Sequence, residues 1–221
     1  MQLQTFGANK RGRDFAIGDL HGCYEALRSC LADAAFNPER DRLFSVGDLI
    51  DRGPRSLDCL DLVFEPWFFA VQGNHEQMMQ AALECASPGA LAHWLMNGGQ
   101  WGFEYDWAEL KAYARSALAR MPHAIEVELS GNKVGLVHAE VPEQDWYSLH
   151  RPLTRGQLAQ LVWARERLAR RDPTPIAHID LVLAGHSIVP AITRLGNMLY
   201  IDTGAFTPEG HLTLLEIRSW L

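Results

Sequence analysis

A chain of 221 residues, 48% hydrophobic and 21% charged, is long enough to bury a sizeable core and has no apolar run that could cross a bilayer. Its formal charge of −7 argues against a general nucleic-acid binder, which needs a net basic footprint, while leaving room for a local basic pocket. Cys23, Cys30, Cys59 and Cys85 form no Cys-x-x-Cys pair, which speaks against a disulfide framework or a zinc ribbon and for buried thiols in a reducing cytoplasm.

In chain order, 1–13 reads as a peripheral lead into a single domain over 1–221. It carries Lys10, Arg11 and Arg13 but no following apolar core, so export is not expected. Phe15-Ala-Ile is the first short apolar run and ends at Gly18-Asp19-Leu20-His21-Gly22, after which Tyr24, Leu27, Leu31 and Ala34 recur at helical spacing. Leu43-Phe-Ser-Val runs into Gly47-Asp48-Leu49-Ile50-Asp51-Arg52-Gly53, and Pro54 precedes a second helix bearing Leu57, Leu60 and Phe64. Phe68-Phe-Ala-Val then leads to Gly73-Asn74-His75-Glu76. The pattern is β-α-β-α-β, an α/β front half with buried strands.

A helical middle is expected over 75–86, 90–97 and 106–120, with Pro88 opening and Gly98-Gly99 closing its second helix, and it is placed as a cap over the site. Ile125, Val127 and Leu129 alternate with Glu126 and Glu128, and Gly131-Asn132 turns the chain into Val134-Gly-Leu-Val, the signature of a half-exposed hairpin ending at His138. Thr154 and Gln157 form a capping-box pattern ahead of Leu158, Leu161 and Val162, leading into Trp163-Ala-Arg165. Leu181-Val-Leu-Ala ends at Gly185-His186-Ser187, and Met198-Leu-Tyr-Ile at Asp202-Thr-Gly204. The back half is expected to be more antiparallel than the front.

Strand after strand thus ends in a residue type that binds metals, which no packing rule requires. Crossover sheets present their strand carboxyl ends to ligands, so Asp19, His21, Asp48, Asn74, His138 and His186 are candidates to surround a metal centre. Asp48 offers two carboxylate oxygens, enough to bridge two cations, and Asn74 a neutral carbonyl oxygen. Two carboxylates among neutral ligands leave a pair of divalent ions net positive, a local field that attracts a phosphate dianion to an acidic protein. Oxygen and imidazole ligands without thiolate point to manganese, iron or zinc and away from copper(I).

These motifs, in this order over nearly the whole chain, resemble the calcineurin-like metallophosphoesterases, specifically the serine/threonine phosphoprotein phosphatases of the short bacterial and phage branch. The resemblance implies a β-sandwich of mixed sheets flanked by helices and a cofactor of two divalent ions, manganese first and iron or zinc as alternatives. Asp19, His21 and Asp48 would hold one ion, and Asp48, Asn74, His138 and His186 the other. It further implies a hydroxide shared between the metals that attacks phosphorus directly, His75 as the acid that protonates the leaving oxygen, and Asp51 as the group that orients His75. Arg52 and Arg165, with Asn74, would bind the phosphoryl group. The implied substrate is a phosphoprotein or phosphopeptide carrying phosphoserine or phosphothreonine, with phosphotyrosine as an extension. Relatives with the same ligand set hydrolyse dinucleoside polyphosphates or nucleotides, a second reading. A third is a metal-binding phosphoprotein scaffold without turnover.

Three positions depart from the family's usual residues. Gln72 stands where Arg commonly precedes Gly73, removing a charge expected near the pocket and bearing on phosphate affinity; Ser187 replaces Thr and Glu140 replaces Asp. The chain ends soon after its last strand, so regulation by a long C-terminal tail is not expected. His93, His123, His150, His178 and His211 read as surface or packing residues, Trp94, Trp101 and Trp107 as helical core, and Asp202 as a turn former.

Overall fold

The computed structural model describes residues 2–85 and 87–221. In chain order it contains β1 (Leu3–Phe6), β2 (Asp14–Ile17), α1 (Tyr24–Asp33), β3 (Arg42–Ser45), α2 (Ser56–Asp61), β4 (Phe68–Ala70), α3 (Asn74–Cys85), α4 (Pro88–Met96) and α5 (Trp107–Leu118). Then come β5 (Ala124–Leu129), β6 (Asn132–Val137), α6 (Arg155–Trp163), α7 (Glu166–Arg170), β7 (Leu181–Ala184), β8 (Thr193–Leu195), β9 (Met198–Tyr200) and β10 (Leu214–Glu216). The strands form a four-stranded sheet, β10-β2-β3-β4, and a six-stranded sheet, β1-β5-β6-β7-β9-β8.

Alternation of side chains along the strands builds the layers. Phe15, Ile17, Leu43 and Phe68 point outward from the four-stranded sheet into a core shared with Leu27, Leu60, Met79 and Ala117 of the helices, whereas Ala16, Phe44 and Val46 point inward. There they meet Ile125, Val127, Leu136, Leu183 and Leu199 of the facing sheet. Val137, Val182, Ala184, Met198 and Tyr200 face the other way, under Trp146, Leu161 and Val162. The result is helices, sheet, sheet, helices, the flanked sandwich that the motifs imply.

The β-α-β-α-β front is present, with β2, β3 and β4 parallel and β10 returning antiparallel to β2. The back half is more antiparallel than the front, as expected: the 125–134 hairpin forms as β5 and β6, β8 pairs antiparallel with β9 and β10 with β2, while β1–β5, β6–β7 and β7–β9 are parallel. Between β6 and β7 the chain runs through α6 and α7, and so long a crossover suits a parallel return. Residues 3–6 are more than a peripheral lead, since β1 adds an edge strand whose register places Leu3 opposite Ala124. The side chain of neighbouring Gln2 donates to the carbonyls of Leu149 and Arg151.

The expected end of the first middle helix at Ala86 lies outside the described residues. Helix α4 starts at Pro88, and α5 is capped by Asp106, whose carboxylate accepts from the N–H groups of Ala108 and Glu109. Residues of α3, α4 and α5 pack on the outer face of the four-stranded sheet together with Leu20, Leu49 and Ile50 of the loops that follow β2 and β3. Of the cysteines only Cys59 is buried, while Cys23 and Cys30 are half-buried and Cys85 is exposed, a correction to the expectation of four core thiols. Among the described residues, no helix is long and apolar enough to cross a membrane.

Candidate metal centre

The loops after β2, β3, β4, β6 and β7 meet at one end of the sandwich. Backbone hydrogen bonds lace them together, from the N–H groups of Leu20 and His21 to the carbonyl of Asp48 and from the N–H of Gly185 to the carbonyl of His138. His21, Asp48, Asp51, Arg52 and His186 all have positive φ, between 42° and 73°. Each such non-glycine residue costs on the order of 1 kcal/mol or more, so their concentration here marks a site held against local preference. Gly73 and Gly185 are required by closeness, since a Cβ on either would collide with a carboxylate oxygen, Asp48 Oδ1 and Asp19 Oδ1 respectively.

Asp48 stands at the centre. Its Oδ2 lies 3.6 Å from His21 Nε2 and 3.9 Å from His75 Nε2, and its Oδ1 lies 3.4 Å from His138 Nε2. Candidate ligand atoms form two groups within 4.8 Å, one from His21, Asp48 and His75 and the other from Asp48, His138 and His186. Asn74 Oδ1 joins the second group, 2.9 Å from both His138 Nε2 and His186 Nδ1. Asp19 falls outside both; its Oδ2 accepts from the His186 N–H at 3.0 Å, and its buried Oδ1 has no partner.

The remaining ring nitrogens are engaged so as to free the ligand atoms. His21 Nδ1 lies 2.9 Å from the carbonyl of Ile50 and His138 Nδ1 2.7 Å from that of Val46, so these nitrogens carry the protons and Nε2 faces inward. His186 Nε2 points to the carbonyl of Trp163 at 3.2 Å, which leaves Nδ1 as its inward atom. Burial holds His21 and His186 down to about 3, in the neutral form a metal ligand needs. Burial and the charges of Asp202 and Asp48 push Asp19 well up. Burial also opposes ionisation of Asp48, but His138 and His75 outweigh it and hold that carboxyl well below its usual range. An unpartnered buried carboxylate oxygen beside converging carbonyl and imidazole lone pairs fits divalent cations.

Beside this cluster, His75 Nδ1 lies 2.6 Å from Asp51 Oδ2, and His75 Nε2 is buried with no protein partner. Burial raises the Asp51 carboxyl against the opposing pull of hydrogen bonds from His75, Trp101 and Trp94. Arg52 is exposed; its Nη1 reaches 3.1 Å from His21 Nε2, and its guanidinium lies over the Phe206 ring, 4.5 Å from the centroid. Arg165 is exposed and donates to Ser187 Oγ at 3.2 Å, next to His186. Every candidate residue from the motifs therefore lies at this end of the molecule, with Asp19 set back from the others.

The Gln72 amide donates to the carbonyls of Leu118 and Met121 at the end of α5. Glu140 accepts from the N–H of Arg167, and Asp202 forms its turn by accepting from the N–H of Gly204. Of the other histidines, exposed His93 stacks on Trp163, with centroids 6.0 Å apart, at the rim.

Glu76 was not singled out by sequence reasoning. Its buried carboxylate accepts from the N–H groups of Asp48, Leu49 and Gly73, clamping the β3 loop to the start of α3. A Glu three residues after Gly73 at a helix start is half of a capping box, the signal that could have found it. Burial and the Asp48 charge raise this carboxyl to about 7. The contacts of Trp94, Trp101 and Phe206 had no comparable signal, since they are made across the fold.

The family model for calcineurin-like phosphoesterases matches residues 15–190. Serine/threonine-protein phosphatase 1 of Salmonella typhimurium (strain LT2) is 39% identical over 207 residues, 92% of this chain and 91% of that protein. A shorter likeness, 48% over 64 residues, joins 28% of this chain to 23% of the symmetrical bis(5'-nucleosyl)-tetraphosphatase of Dechloromonas aromatica (strain RCB). In fold, the cold-active protein-tyrosine phosphatase of a psychrophilic Shewanella superposes with a TM-score of 0.61 at 17% identity, covering 97% of this chain and 78% of that one. With its matched motifs at one end of a two-sheet sandwich, the chain belongs to the calcineurin-like phosphoesterase family, hydrolases of phosphate esters built around a dinuclear metal centre.

Proposed function

We infer that the protein is a dimetal phosphomonoesterase that dephosphorylates phosphoserine and phosphothreonine in proteins. Asp48 carries the reading: one oxygen faces the His21 group, the other faces His138, and the His75–Asp51 pair stands alongside. In this assignment Asp19, His21 and Asp48 hold one cation, and Asp48, Asn74, His138 and His186 the other. Manganese is the leading candidate for this oxygen and imidazole donor set, with iron or zinc as alternatives. When bound, such ions supply Lewis acidity and an activated water nucleophile.

The chain's own residues provide the rest. Arg52 and Arg165 hold the non-bridging phosphoryl oxygens through guanidinium forks. His75 Nε2 delivers a proton to the ester oxygen as its bond to phosphorus breaks, so that a neutral serine or threonine hydroxyl departs. Asp51 fixes the ring orientation through Nδ1. The near full-length likeness to a serine/threonine-protein phosphatase supports the protein substrate, and such a substrate suits a cytoplasmic enzyme. The shorter likeness to a nucleosyl-tetraphosphatase supports dinucleoside polyphosphates as the second reading.

The test is to strip the protein with chelator, restore manganese, and assay a phosphoserine peptide and a dinucleoside tetraphosphate side by side. Manganese-dependent phosphate release from the peptide alone is the expected result. Cleavage of the dinucleotide alone would overturn the substrate class and keep the metal site, and inactivity on both would favour the scaffold reading.

A further inference from the structure

Asp51 sits at the foot of the proposed acid with none of its surface exposed, and two tryptophans of the helical middle are spent on it. The Trp94 indole N–H lies 3.0 Å from Asp51 Oδ1 and 3.1 Å from Oδ2, and the Trp101 N–H lies 2.7 Å from Oδ1. His75 takes Oδ2 at 2.6 Å, and the Asp51 N–H donates to Ser56 Oγ at 2.9 Å. Both indoles are neutral donors that cannot accept, so they hold a carboxylate and set its direction without competing for the proton on His75.

Delivering them takes a specialised segment. Gly98 has φ 103°, and a Cβ there would lie 2.6 Å from the Arg52 nitrogen. A Cβ on Gly99 or Gly102 would meet the Trp94 ring at 2.5 Å. These three glycines press the 98–104 segment onto both the Arg52 loop and Trp94, which sets Trp101 edge-on to Trp94 with centroids 5.8 Å apart. Packing alone does not require two indole nitrogens to converge on one buried carboxylate.

We propose that Trp101 and Trp94 are positioning residues for the general acid: their N–H groups lock the Asp51 carboxylate, which holds His75 Nε2 aimed at the leaving oxygen. The inference rests on the assignment of His75 as that acid. An acid matters when the leaving group is a poor one, such as the alkoxide of serine, and little when it departs as a stable anion, such as 2,4-dinitrophenolate. Loss of aim therefore changes the ratio of kcat on a phosphoserine peptide to kcat on 2,4-dinitrophenyl phosphate. Simple loss of folded protein lowers both rates and leaves that ratio unchanged.

The experiment measures this ratio, with manganese present, in the full-length wild type, H75N, W101F, W101Q and W107F. H75N should collapse the ratio; W101F should lower it about tenfold with the peptide KM within about twofold, as expected for one lost hydrogen bond to a buried charge. W101Q, which keeps an N–H at comparable reach, should hold the ratio near that of wild type even if both rates fall. Trp107 packs on Trp94, 6.1 Å between centroids, and makes no hydrogen bond to Asp51, so W107F should leave the ratio unchanged. A normal ratio in W101F, or equal falls in W101F and W107F, overturns the positioning role while His75 stands. A normal ratio in H75N overturns the acid assignment and the positioning role with it.

Discussion

At the residue scale, the carboxylates and imidazoles of the site are set by neighbours that each carry one task. The motif residues were legible because Asp, His and Asn ending apolar runs have no packing explanation, and the strand ends do meet. Trp94 and Trp101 were not, because a hydrogen bond between residues separated by 43 or 50 positions leaves no local pattern. At the motif position 72 the Gln side chain ties down the end of α5. Replacing Gln72 with Ala should therefore cost about 1 kcal/mol in urea unfolding, the ordinary worth of such hydrogen bonds, while the peptide KM stays within about twofold. A large rise in KM without loss of stability would return Gln72 to the pocket.

Among the elements, the helices and buried strands were readable from their periods, and the Thr154–Gln157 capping box forms as its residues suggest. The edge strands β1 and β8 were missed because they are short and partly exposed, so burial writes little into their sequence. The 98–104 segment depends on Gly98, and Gly98→Ala should lose about 1–3 kcal/mol, since alanine meets both the positive φ and the Arg52 backbone. A melting temperature equal to that of wild type would show that the segment can move away at no cost.

The turn before β3 is held by Asp41. Its carboxylate accepts from the N–H groups of Arg13 and Asn37 and from the Arg13 guanidinium, and these contacts outweigh burial to hold it below the ordinary range. The stabilisation is therefore complete above pH ~4 and is lost as pH falls through the lower folded value. Asp41→Asn should flatten the fall of stability below pH ~4; an unchanged slope would place that acid sensitivity elsewhere.

For the whole molecule, two sheets share one interior while each outer face is covered by helices, and five strand ends converge on the end that carries the candidate metal ligands. We propose that the chain unfolds as one domain, in a single cooperative transition by both fluorescence and circular dichroism. Buried Asp19, Asp48, Asp202 and Glu76 crowd together, so cations bound only by the native state should raise the melting temperature, and chelator should reverse the rise. Parallel pairing in the back sheet could not be read from the strands, because its direction is set by the long crossover through α6 and α7. The most direct measurement is manganese bound per chain, counted after equilibration and desalting, in wild type and Asp48→Asn. Two ions in the wild type and loss of both in the variant are expected, with activity lost in parallel. An Asp48→Asn protein that kept either ion at full occupancy would contradict a bridging role for Asp48 and the shared centre built on it.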